Sequence, residues 1–180
     1  MKRILYALVI CPTLLVAQVK VSHEAGDWGE SAQSIATFTA KEASCAVQIG
    51  PQTLSYIVSE KGMIGLSLNG SCAFHDKTDV VMNFDWKGQF ISFPVKFIPS
   101  SNSSKGIWTI LDDESAITKY LMESARVRVQ ATPENDLAST WTAVFGLSGS
   151  TKAINEVLNK HGVTVNFDNV RKGLTKGMYD

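Results

Sequence analysis

The stretch from Asp79 to Phe97, DVVMNFDWKGQFISFPVKF, constrains the fold of this chain more than any other. Two alternating runs meet at Lys87-Gly88, and folding that dipeptide as a two-residue turn brings their faces into agreement. Trp86 then opposes Gln89, Phe84 opposes Ile91, Met82 opposes Phe93 and Val80 opposes Val95. The other face pairs Asp85 with Phe90, Asn83 with Ser92 and Asp79 with Lys96. One side is large and apolar, the other mixed and mostly polar. That is the pattern of a hairpin laid with one face on a core.

Shorter stripes of the same period surround it. Ser34 to Ala40 is strand-like, and Cys45, Val47 and Ile49 share a face before Gly50-Pro51 breaks the run. Leu54, Tyr56 and Val58 form the next stripe, and Ile64, Leu66 and Leu68 another, bounded by Lys61-Gly62 and Asn69-Gly70. Further on, Ile107 to Leu111 reads as a strand. In Arg126 to Ala131, Val127 and Val129 face inward, and Arg126, Arg128 and Gln130 outward. Trp141, Ala143 and Phe145 share a face in Ser139 to Phe145. Strands at this spacing, separated by Gly, Pro and Asn, predict a mainly β, β-sandwich-like single domain. Between them, Gln18 to Gln33 is polar around a short Gly26-Asp27-Trp28 element, and Pro99 to Lys105 (PSSNSSK) reads as a mobile loop.

Two short helices complete the pattern. Asp112 is placed to cap the first, with Asp113 and Glu114 at its positive end and Ile117, Tyr120 and Leu121 at helical spacing to about Glu123. The second opens at Gly149-Ser150 with Ser150 as N-cap. Ala153, Ile154, Val157 and Leu158 form its apolar stripe, and Lys160, His161 and Gly162 end it. Val163 to Phe167 is a candidate further strand, and residues 168–180 form a polar, basic tail.

The N-terminus predicts export. Lys2 and Arg3 precede a short apolar run, Ile4 to Ala17, the form of a signal peptide cut after Ala17 and too short for an ordinary span. Lipidation at Cys11 is the alternative, disfavoured by the bulk of Ile10. With no second long apolar run, the mature chain is expected to make no stable membrane insertion. Its domain runs from 18 to 167. Removal of the leader leaves Cys45 and Cys72, and two cysteines in an exported chain most often form one disulfide. Closing that loop stabilises by about 3.5 kcal/mol, less any strain. A redox or metal site there needs closer spacing or histidine partners, and only His75 is near. A two-residue turn at Asn69-Gly70 would set Cys72 opposite Ser67, away from Leu66 and Leu68.

Charge narrows the partners. In 180 residues the 17 basic and 17 acidic side chains balance, which leaves no electrostatic footprint for nucleic acid or an anionic membrane. No constellation reaches a catalytic motif. His23, Glu24 and Asp27, with His75-Asp76, could supply a transition-metal ligand set, but no spacing fixes two ligands on one face, and solvated loop residues are the ordinary reading. Asp112-Asp113-Glu114 is explained by capping. Gly146-Leu147-Ser148-Gly149 lacks the glycine that a serine elbow needs two residues after the serine, where Ser150 stands. Phosphate-loop and dinucleotide fingerprints are absent, and no cofactor is expected. Asn69-Gly70-Ser71 and Asn102-Ser103-Ser104 match the glycosylation sequon, as short polar turns do by chance.

Aromatics remain. Trp28, Trp86, Phe90, Trp108 and Trp141 could build a sugar- or peptide-binding platform, although most belong to a core by their stripes. Phe90 is the exception, because the hairpin register puts it on the polar face beside Asp85. Trp86, Lys87 and Phe90 are therefore the candidate contact residues.

The C-terminal half adds a resemblance. A short helix, then ARVRVQAT, a turn, and TWTAVFGLSGSTKAINEVL resemble the end of the invasion-associated locus B (IalB-like) periplasmic proteins. Val127, Val129, Phe145, Leu147, Gly149, Ala153 and Leu158 carry it, and Gly26-Asp27-Trp28 resembles the family's entry into its first strand. The likeness spans about half the chain, and the cysteine that usually follows that tryptophan in the family is missing here. It implies a β-sandwich with one or two helices, a periplasmic location and a role in envelope or host interaction. The expectation is an exported non-enzymatic binding module engaging an envelope or host protein. The alternatives are an inhibitor or immunity-type protein that blocks an enzyme, and a sugar- or metal-binding protein.

Overall fold

The computed structural model describes residues 19–25, 32–40, 43–44, 52–69, 78–100, 103–111, 114–133 and 141–167. The leader, the tail after 167, Trp28, Cys45, Cys72, His75, Asp76, Asp112 and Asp113 lie outside the described residues. Among those described, ten strands form one antiparallel ladder. In chain order they are β1 (Val19–Ala25), β2 (Ala32–Ala40), β3 (Ala43–Ser44), β4 (Gln52–Ser59), β5 (Ile64–Asn69), β6 (Thr78–Trp86), β7 (Gln89–Ser100), β8 (Ser103–Ile110), β9 (Arg126–Pro133) and β10 (Trp141–Gly146). Helix α1 (Glu114–Glu123) follows β8, and α2 (Ser150–Lys160) follows β10.

The ladder runs β1-β2-β4-β5-β8-β7-β6-β9-β10-β3, and β7 belongs to both halves. Its residues 89–97 pair with β6, and Ile98 to Ser100 pair with β8, with a register shift between Pro99 and Ser100. The ladder folds back on itself: β10 touches β2 although the two are far apart in strand order. One core results, with Phe38, Tyr56 and Leu66 from one half meeting Phe84, Val127 and Phe145 from the other. The protein is mainly β with two helices. Instead of two separate sheets, a single ladder supplies both layers.

The central hairpin has the register that its alternation predicts, from Asp79 opposite Lys96 to Trp86 opposite Gln89. Lys87 (φ 51°) and Gly88 (φ 79°) both take positive φ, the geometry of a type I′ turn whose twist suits the flanking strands. A Cβ on Gly88 would meet nothing within 4 Å, so its cost is that of the backbone alone. Gly88→Ala is therefore expected to lower stability by about 1 kcal/mol, read as a shift of the urea midpoint at unchanged slope.

Several local expectations are corrected. Val19–Ala25 is a strand, hidden in the sequence by its polar residues Lys20, Ser22, His23 and Glu24. Most of the expected loop at Pro99 to Lys105 belongs to β7 and β8, where Ser100 pairs with Ser103; residues 101 and 102 lie outside the described set. β5 pairs with β4 and β8, and residues 70–77, on which a turn after Asn69 depends, lie outside the described residues. Val163 to Phe167 is not a strand; Val163 and Phe167 pack on the core as irregular chain.

The start of α2 also differs. Gly149 (φ 85°) occupies the cap position without a side-chain bond, and Ser150 is the first helical residue. The hydroxyls of Ser150 and Thr151 instead donate to the Met122 carbonyl, at 3.5 and 2.6 Å. That carbonyl lies in the last turn of α1, where helices leave acceptors unpaired, so the bond joins the two helices end to start. At the other end, Gly162 amide to Asn159 carbonyl (3.2 Å) and Val163 amide to Leu158 carbonyl (3.0 Å) close a Schellman motif.

Candidate functional site

The hairpin tip is an ordered surface with one side on the core. Trp86 stands edge-on to Tyr120 of α1, with ring centroids 5.4 Å apart, and its indole Nε1 donates to Glu123 Oε2 at 2.9 Å. Lys87 Nζ sits 4.6 Å above the same indole, a cation–π contact. Beneath them, Phe84, Phe93 and Tyr120 pack mutually at 5.3–5.9 Å. Trp86 is thus held by Tyr120, Glu123 and Lys87, and it is only partly buried. Phe90 lies across the strand from Asp85, on the opposite face, and is 72% exposed.

The strand registers extend this tip into a face. Phe90, Asp85 and Arg126 lie in one row across β7, β6 and β9. Ser92, Asn83, Arg128 and Val144 form the next, and Pro94, Val81, Gln130 and Thr142 the third. Side-chain bonds hold the polar part: Arg126 Nε to Asp85 Oδ2 at 3.0 Å, Ser92 Oγ to Asn83 Oδ1 at 2.6 Å, and Asn83 Nδ2 to Gln130 Oε1 at 3.2 Å. Arg128 is exposed and makes no ion pair among the described residues. The result is a surface of exposed apolar groups (Phe90, Val81, Val144) around Arg128, held in part by side-chain hydrogen bonds.

A second polar group lies at the far end of the fold, where no sequence spacing points. Ser34 on β2 is fully buried, and its hydroxyl is held from two sides. His23 Nδ1, from the directly paired position on β1, lies 2.7 Å away, and His161 Nε2, at the end of α2, lies 2.8 Å away. Glu156 Oε1 is 4.0 Å from the other ring nitrogen of His23. His23 thus meets Ser34 and Glu156 with opposite edges of its ring, so the three cannot close around one ion. No cluster of three or more metal-ligating side chains occurs among the described residues.

Of the other sequence candidates, Ser148 sits in the turn before α2, remote in sequence from the two described histidines' shared partner, Ser34. The Cys45–Cys72 pairing and the His75-Asp76 pair fall outside the described residues. Trp141 lies on β10, and Trp108 is partly buried on β8. No helix among the described residues is long and apolar enough to cross a membrane. No family model, curated protein or solved structure matches the chain.

Proposed function

We propose that this chain is an exported, non-enzymatic binding module that engages an envelope or host protein through the hairpin tip and the sheet face behind it. The observation that carries this reading is Phe90, a large apolar side chain left 72% exposed on a turn whose neighbours are rigidly packed. Phenylalanine has only two side-chain torsions to fix on binding, and buried aromatic residues dominate interface energetics. Export is supported by the basic-then-apolar N-terminus, Lys2 and Arg3 before Ile4 to Ala17. The resemblance of the C-terminal half to IalB-like proteins favours the same setting.

Phe90→Ala tests it. The substitution is expected to leave the urea midpoint within about 0.5 kcal/mol of wild type, because Phe90 contributes little to the core. Capture of the partner should fall by about thirtyfold or more, as for an interfacial aromatic worth about 2 kcal/mol. Unchanged capture would count against the tip, and unchanged capture after deletion beyond Phe167 would count against the basic tail. The inhibitor reading uses the same feature: a two-residue turn is the narrowest end a hairpin can insert into an enzyme's cleft. Inhibition of a lysozyme or protease by the purified protein would favour it.

A further inference from the structure

We propose that the outer face of β2, β4, β5 and β8 is an interface between two copies of this chain, packed sheet on sheet about a two-fold axis. Alternation sends Phe38, Leu54, Leu66 and Ile107 from these strands into the core. Their other face carries Ile35, Ile57, Trp108 and Ile110, and the end of β7 adds Ile98. None of these five is part of the core cluster or of the side chains packed against it. The registers bring them together. Ile110, Gly65, Ile57 and Ile35 form one row across β8, β5, β4 and β2, and Ile98 and Trp108 begin the next. Ile98 and Ile110 are 48% and 43% exposed. Gly65 adds no side chain, which leaves room between Ile57 and Ile110 for a group from a facing surface.

Charge is what this face lacks. An antiparallel sheet with one side in water ordinarily turns polar residues outward. Here the outward positions from Gln33 to Thr39, Thr53 to Ser59, Gly65 to Asn69 and Gly106 to Ile110 include no Asp, Glu, Lys or Arg. Charge returns at the borders, with Lys20 and Glu24 on β1, Glu60 and Lys61 in the β4–β5 turn, and Lys96 on β7. An apolar centre containing a tryptophan, a charge-free surround and a charged rim is the composition of a protein interface.

The same composition selects the partner. About a two-fold axis a surface meets its own copy, so its groups must satisfy one another. Apolar side chains do so in any register. Hydroxyls do so too, because each both donates and accepts: Thr37 and Ser55 already bond to each other at 3.2 Å, and Ser67 continues their row. The outer face of the other half would not. There Asp85 is already bonded to Arg126, and Arg128 has no ion pair among the described residues, so meeting its own copy would bury positive charge. Two uncharged faces pack as the layers of a sandwich, about 10 Å apart. The hairpin tip belongs to the other half of the ladder, so this inference does not rest on the binding role of Phe90.

The test is sedimentation equilibrium of the purified protein over a range of concentrations. The wild type is expected to be a dimer at micromolar concentration. Ile110→Lys and Ile98→Lys place an ammonium where apolar groups meet, and each should raise the dimer dissociation constant about thirtyfold or more. Both residues lie outside the core, so each variant should keep the circular dichroism of the wild type. Val144→Lys puts the same charge on the outer face of the other half and should leave the dimer intact. A wild type that stays monomeric at its highest soluble concentration would overturn the proposal, whether another protein or a further segment of this chain covers the face. So would a dimer that both isoleucine variants leave intact, or one that Val144→Lys breaks as readily.

Discussion

Phe84→Ala is expected to lower the unfolding free energy by about 3–5 kcal/mol, a large share of what holds an ordinary domain folded. Phe84 is fully buried on the inward face of β6. Its ring meets Phe93 edge-on at 5.9 Å and Tyr120 at 5.8 Å, so it joins the central hairpin to α1. Truncation removes the transfer energy of the ring and leaves a cavity between a sheet and a helix that cannot both close on it. Because α1 carries Glu123, the partner of Trp86, the tip should also loosen. Urea unfolding followed by tryptophan fluorescence measures the first effect, and partner capture the second. A loss below about 1 kcal/mol would mean that the hairpin does not pack against α1.

Tyr120→Phe should act in the opposite direction. The Tyr120 hydroxyl is buried with no hydrogen-bond partner among the described residues, beside the rings of Phe84, Trp86 and Phe93. A desolvated, unpaired hydroxyl carries a penalty that its removal relieves, so the variant is expected to gain about 1–2 kcal/mol with ring packing intact. A second signature accompanies it. Burial, and then the negative charge of Glu123, raise the Tyr120 phenol above its ordinary value. The folded state therefore keeps its proton at a pH where the unfolded chain releases it. Stability from this group is complete below the ordinary tyrosine range, about 10, and is lost as pH rises through the raised value. Tyr120→Phe removes that alkaline loss. A neutral or destabilising result, with the alkaline arm unchanged, would show that the hydroxyl is satisfied.

Much of the fold was legible because its strands keep a strict period of two. In β6 and β7 both faces and the turn point to one register, and the structure has it pair for pair. The stripes Leu54-Tyr56-Val58 and Ile64-Leu66-Leu68 are buried for the same reason. Legibility ended where partners are distant. β1 carries only Val19 and Val21 as apolar markers, and its strand state comes from pairing with β2 and packing under α2. The serine-rich segment after Pro99 becomes ladder because β7 runs on to meet β8. Asn69-Gly70 has hairpin chemistry, but β5 finds β8, a strand more than 30 residues away. The candidate surface divides in the same way. Outward Arg128 and Phe90 followed from alternation, whereas the hydrogen bond between Ser34 and His161 joins residues 127 apart, which no local pattern encodes.

Engagement of a protein partner outside the cytoplasm by the hairpin tip is tested most directly by cross-linking in the native envelope. Capture and mass spectrometry follow, with wild type and Phe90→Ala in parallel. One protein recovered reproducibly with the wild type and lost with the variant is the predicted result. No recovered partner, or equal recovery from both, would contradict it.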